Sequence, residues 1–88
     1  MTRIDKIRAA LELALKPSLL GIEDESHQHA GHAGAATGRG HFRVQIVSEA
    51  FAGKPLLQRH RMVYEAVAEL MQTDIHALSI DAKAPGKN

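Results

Sequence analysis

Cysteine is absent from the 88 residues. That excludes disulfides, thiol catalysis and any metal site completed by the chain's own thiolates. Metal chemistry must therefore run on histidine, on carboxylate or on the sulfur of a partner. Aromatic residues are scarce at 3%, so Leu, Ile, Val and Ala must supply most of the core. No apolar run approaches the roughly 18 residues that a membrane span requires, and no membrane association is expected. The N-terminus mixes Arg3, Asp5, Lys6 and Arg8 into an amphipathic pattern and does not read as a signal peptide. A cytoplasmic location is expected, although an organellar chain without its presequence would look the same. A strong excess of one charge is also missing. A net charge of +1 and a pI near 8.2 give no global attraction to nucleic acid or anionic lipid, so such binding would need a local patch.

What is present fits one domain spanning residues 1–88, because a chain of this length is too short to bury two cores. Thr2 with Asp5 resembles a capping box. Ile4, Ile7, Leu11 and Ala14 then recur at helical spacing until Pro17, which predicts a helix over 3–16. Ser18 to Ile22 reads as a short strand leading into acidic residues 23–25. Residues 27–40 are rich in His, Gly and Ala without periodicity, and read as a mobile loop.

Phe42, Val44 and Ile46 alternate with Arg43 and Gln45, which predicts a half-buried strand over 41–48. Ser48 can cap a short helical turn through Phe51, Gly53 can end it, and Pro55 suits the first turn of the next helix. That helix is expected to run to Met71 with a stripe of Leu56, His60, Val63, Val67 and Leu70. Residues 75–82 alternate again with Leu78 and Ile80 on one face, and residues 83–88 are expected to fray.

The order is thus α-β-β-α-α-β, an α/β (α+β) domain. The crossover between the second and third strands is long enough to hold a helix, so those strands should run parallel if adjacent. A hairpin-like link makes the first strand antiparallel to the second. The 27–40 loop, His41 and His76 then converge on one edge of a three-stranded mixed sheet.

The run His41-Phe42-Arg43-Val44-Gln45-Ile46-Val47-Ser48, then Phe51 and Gly53, then Arg59-His60-Arg61-Met62-Val63-Tyr64, then Ile75-His76-Ala77-Leu78 resembles the BolA family. Asp24-Glu25-Ser26 extends the likeness, so it spans nearly the whole chain. The resemblance implies a class II KH-like fold with helices on one face of the sheet. It also implies association with a monothiol glutaredoxin through a bridging [2Fe-2S] cluster, and DNA-binding transcriptional regulation for some members. Neither role is enzymatic. In the cluster role the family's last-strand histidine matches His76, and its loop histidine or cysteine matches His29. The loop is longer than the family's usual one and also carries His32 and His27, which are alternative ligands.

By residue type alone His76 would be a strand-end histidine satisfied by a backbone carbonyl, and the resemblance reverses that preference. Imidazole can replace thiolate on one iron, as in Rieske centres. Without cysteine this chain cannot complete a cluster, so the cofactor must be shared with a thiol-bearing partner and none is held alone. His41 either lies near the cluster edge or faces solvent. His60, on the apolar stripe, reads as a packed, hydrogen-bonded histidine.

Lys54, Arg59 and Arg61 are the candidate nucleic-acid contacts, against a plainer reading as solvated residues or partners of carboxylates such as Glu65. The turn that would carry a KH domain's GxxG loop reads Ala52-Gly53-Lys54-Pro55, so RNA binding in that mode is disfavoured. A DNA contact from the Arg59 helix is the second reading. Neither Ser26 nor Ser48 has the setting of a nucleophile elbow, and nothing points to an enzyme.

Overall fold

Helix α1 (Arg3–Leu15) starts on the expected capping box. The Thr2 hydroxyl accepts from the Asp5 amide at 3.0 Å, and the Thr2 amide donates to the Asp5 carboxylate at 3.2 Å. The helix ends at Lys16, whose left-handed backbone lets its N–H reach the Glu12 carbonyl before Pro17 forbids another turn. Its buried residues are Ile7, Leu11 and Leu15. Ala14, placed on that stripe by spacing, is exposed instead, because the four-residue steps from Ile7 keep to the face that meets the sheet.

The computed structural model describes residues 1–26 and 39–86. After α1 come β1 (Leu19–Asp24), β2 (Gly40–Val47), a 3-10 turn (Glu49–Phe51), α2 (Leu56–Ala66), α3 (Leu70–Thr73) and β3 (Ile75–Lys83). The sheet order is β1-β2-β3, antiparallel between the first pair and parallel between the second. This is the topology that the crossover argument requires, in a single α+β domain. β1 runs two residues further than expected and takes in Glu23 and Asp24, whose backbone pairs with β2 while the side chains stay exposed.

In register, Phe42 lies beside Leu78, Val44 beside Ile80 and Ile46 beside Ala82. These side chains, with Leu20 and Ile22 of β1, form the inner face. Ile7, Leu11, Phe51, Val63 and Val67 pack with it in one core, all at 1% exposure or less. Each such side chain contributes about 1.5–3 kcal/mol by leaving water. The other face carries Glu23, Arg43, Gln45, Ser79 and Asp81 and stays open.

Two expectations for the helices need correction. The single helix to Met71 is two: α2 stops at Ala66 and α3 begins at Leu70. No proline or glycine marks the break. The bonding tightens where Ala68 N–H reaches Glu65, three residues back, and resumes when Met71 N–H reaches Val67, four back. Leu56, placed on the apolar stripe, is 58% exposed, because it opens α2 ahead of the part that crosses the core. Pro55 sits at the N-cap rather than in the first turn, and Gly53 adopts φ +73°, as its assigned place at the end of the turn demands.

Candidate functional site

β2 and β3 do not begin in regular register. Gly40 pairs with Ile75 and His41 with Ala77, so His76 is an extra residue in β3, a bulge. In an unbroken strand His76 would share the inner face with Leu78, two residues on. The bulge reverses that. Ile75 is fully buried, while His76 is exposed and lies against His41, the ring centroids 5.1 Å apart and the rings tilted by 44°. The reading of His76 as the start of a regular strand is therefore corrected. Its position rests on an irregularity that turns it outward.

Polar side chains hold this end in place. The Ser26 hydroxyl accepts from the His41 amide at 3.1 Å, the Glu25 amide donates to the His41 carbonyl at 2.8 Å, and the Ser26 amide donates to Asp24 at 2.9 Å. Arg43 donates to Glu25 at 3.0 Å, and that carboxylate raises the arginine's already high pKa through the hydrogen bond and its charge. Gly40 and Arg39, assigned to the mobile loop, are part of the built structure. Gly40 opens β2 and donates to the Asp74 carbonyl at 3.0 Å, and Arg39 donates to the Met71 carbonyl at 2.8 Å. A Cβ on Gly40 would lie 2.5 Å from the Ser26 hydroxyl and 2.8 Å from the Phe42 ring, so only glycine fits.

Asp74 organises the approach to His76. Its carboxylate accepts from Thr73 at 2.6 Å and pairs with Lys6 and Arg3 of α1 at 3.4 Å each. The Thr73 hydroxyl, followed by Lys6 and Arg3, holds its pKa below the ordinary carboxylate value. The helix start, the α3 end and the two strand starts are thereby joined around one residue. Spacing did not reveal Asp74, Arg39 or Gly40. The one available signal was a glycine directly before an alternating strand, a common mark of close backbone approach.

The predicted loop ligands His29, His32 and His27 lie outside the described residues. Among the described residues no three His, Cys, Asp or Glu side chains are grouped to hold a metal. The exposed His76 imidazole at this end of the sheet fits part of a donor set that a thiol-bearing partner would complete, whereas the Nε2 of His41 is buried.

Of the candidate nucleic-acid contacts, Lys54 and Arg61 are exposed. Arg59 is not the solvated or carboxylate-paired residue expected. It donates to the Lys54 carbonyl at 2.8 Å and the Ala82 carbonyl at 2.9 Å, tying the start of α2 to the end of β3. His60 is half-buried, and its Nε2 is buried without a hydrogen-bond partner, unlike the hydrogen-bonded histidine expected.

Residues 11–87 match the family model described as BolA-like protein. The chain belongs to the BolA-like family. Among BolA-like relatives, BolA-like protein 1 of Mus musculus is 49% identical over 92% of this chain and 57% of that protein. Protein BOLA1, chloroplastic, of Arabidopsis thaliana is 45% identical over 98% of this chain and 56% of that protein. The solved structure of Arabidopsis BolA1 superposes with a TM-score of 0.84 at 41% identity, covering 100% of this chain and 98% of that one. A protein of Escherichia coli named DNA-binding transcriptional regulator BolA is 40% identical over 86% of this chain and 70% of that protein.

The BolA-like chain spans little more than half the length of the mouse and Arabidopsis proteins. The chloroplastic name shows that BolA-like proteins are not confined to the cytoplasm. No described helix is long and apolar enough to cross a membrane.

Proposed function

We propose that this chain is a non-enzymatic adaptor of iron-sulfur trafficking or iron homeostasis, working in the cytoplasm, that shares a [2Fe-2S] cluster with a monothiol glutaredoxin. The observation that carries the reading is the bulge, which presents His76 to solvent at the sheet end from which the His27–His32 segment departs. Ser26, the last described residue before that segment, is tied to His41. His76 would be one ligand and His29 the other, with His32 or His27 as alternatives. A bound cluster would supply electron transfer and a transferable iron-sulfur unit, its potential set in part by imidazole ligation. This chain's residues do three things: His76 offers a nitrogen donor, the Asp74 contacts and the Ser26–His41 bond fix the starts of β3 and β2, and the absence of cysteine leaves the thiolate positions to the partner.

The test is anaerobic reconstitution with and without a monothiol glutaredoxin, read by visible circular dichroism and by cluster-loss rate. The chain alone should hold no stable cluster, and the mixture should show a histidine-type spectrum. His76→Ala should abolish that spectrum with the far-ultraviolet signal unchanged. His29→Ala should weaken the cluster only partly, and His27, His29 and His32 must all be changed to match the loss at His76. A stable cluster on the chain alone, or wild-type behaviour of His76→Ala, sinks the reading.

A second reading, DNA-binding regulation, is favoured by the name of the Escherichia coli relative. Contacts through Lys54 and Arg61, with Arg59 largely engaged elsewhere, would be to phosphate. Affinity should then fall steeply with salt and show little sequence preference. A tight, sequence-selective complex at physiological salt would move this reading to first place.

A further inference from the structure

β3 ends the sheet, so its edge away from β2 has no neighbouring strand among the described residues. The Ser48 N–H donates to the Lys83 carbonyl at 3.0 Å, so Lys83 faces β2, and by alternation along the ladder so do Asp81 and Ser79. Leu78, Ile80 and Ala82 therefore face outward. The Ala82 carbonyl accepts from Arg59 at 2.9 Å, whereas the N–H and C=O groups of Leu78 and Ile80 meet no partner among the described residues. Their side chains lie on the inner face and are only half-buried.

Helix α2 overhangs this edge. α1 packs against β1 and α2 against β3, and Met62 and Ala66 of α2 line a cavity with Ala14 and Leu15 of α1. At about 100° per residue, Tyr64 falls on the side of α2 away from Met62 and Ala66, and Leu57, two turns earlier, falls on that same side. That side looks out past β3. Leu57 is 63% exposed there and Tyr64 39%. An unpaired strand edge and a wall of exposed apolar side chains together make a groove.

We propose that the β3 edge and α2 dock an extended segment of a partner polypeptide, one with apolar side chains at alternate positions and an acidic residue at the Ala82 end. A backbone in the β conformation satisfies a row of outward N–H and C=O groups, and its alternate side chains then fall between Leu78 and Ile80 below and Tyr64 and Leu57 above. Around Ala82 the cations Lys54, Arg59 and Lys83 outnumber Glu49 and Asp81, which favours a carboxylate at that end. A second copy does not fit. Joining two β3 edges at the strand spacing of about 4.8 Å would bring two α2 helices over one seam, where packed helices need about 8–10 Å. A lone strand brings no helix with it. The groove uses neither His76 nor the loop histidines, so it stands apart from the cluster reading.

The test titrates the full chain with an acetylated, amidated peptide of alternating valine and threonine with a glutamate at each end, followed by nuclear magnetic resonance. The Leu78 and Ile80 amide signals should shift saturably and their hydrogen exchange should slow, while the Val44 amide in the central strand stays unchanged. The same peptide methylated on every backbone nitrogen should not bind. Leu57→Lys with Tyr64→Lys, both on exposed positions, should weaken binding about tenfold with the far-ultraviolet spectrum unchanged. No saturable shift up to about 1 mM peptide, or binding that survives the methylation or the two lysines, overturns the proposal. Shifts of the same amides on concentrating the chain alone would assign the edge to a second copy and overturn it too. Cluster assembly with the glutaredoxin plays no part in these titrations, so the two readings fail separately.

Discussion

The two ends of the sheet are built differently. At the end where β2 finishes, the ladder is regular to the last pair, Val47 with Lys83. Ser48 continues it through its N–H to the Lys83 carbonyl, while its buried hydroxyl donates to the Leu15 carbonyl and accepts from the Ala50 amide. Phe51 then folds into the core at 0% exposure. At the end where β2 begins, the ladder slips by one residue, and order comes from side chains bonded to backbone, Ser26 to His41 and Arg39 to Met71, and from Thr73, Lys6 and Arg3 gathered on the Asp74 carboxylate. The regular end stabilises the fold through apolar burial. The irregular end uses polar contacts of modest net worth, about 1 kcal/mol each, to aim two histidines.

The largest effect that separates the ends should come from Phe51→Ala. Losing a fully buried ring costs about 3–5 kcal/mol, read as a drop in the urea midpoint. If the ends are independent, the His41 and His76 ring resonances of the folded variant should stay at their wild-type positions. Gly40→Ala attacks the other end, where the added Cβ meets Ser26 and Phe42. It should cost about 1–3 kcal/mol through overpacking and, unlike Phe51→Ala, should also disturb the His41 and His76 ring resonances in nuclear magnetic resonance spectra. Equal disturbance by both variants would break the comparison.

Ser26→Ala removes only the acceptor for the His41 amide and should cost about 1 kcal/mol, with faster hydrogen exchange at that amide and no change at Ser48. The smallest effect is expected from pH. Asp74 has a folded pKa held below its ordinary value, so the unfolded chain takes up the proton first as pH falls. The stability that Asp74 contributes is therefore present at neutral pH and is lost below about pH 4, as pH falls from the unfolded toward the folded pKa. Asp5, held low by Thr2 in the α1 cap, acts with the same sign. Acid unfolding followed by circular dichroism should show a shallower pH dependence for Asp74→Asn than for wild type. An unchanged slope would place the acid sensitivity elsewhere.

Much of the fold was legible in local pattern. Thr2 and Asp5 marked the start of α1, alternation at Phe42, Val44 and Ile46 marked the central strand and its inner face, and the crossover length set the parallel pairing. The α2–α3 break was not legible, because Val67, Ala68 and Glu69 include no glycine or proline and the interruption shows only in the backbone of Val67, at φ -111° and ψ 21°. The site was half legible. His76 and the acidic turn stood out through family likeness, while Asp74, Arg39 and Gly40 act through backbone contacts with residues remote in the chain.

By itself the sequence determined a single α+β domain without cysteine, its element order, and the end of the sheet to which the histidine-bearing segments belong. Periodicity, capping and chain connectivity are local properties that survive translation into residue order. Only the tertiary structure decided that His76 turns outward onto His41, because alternation predicts the inner face for that position. The bulge that overrides it exists only once Ile75 is packed in the core and Gly40 is bonded to Asp74.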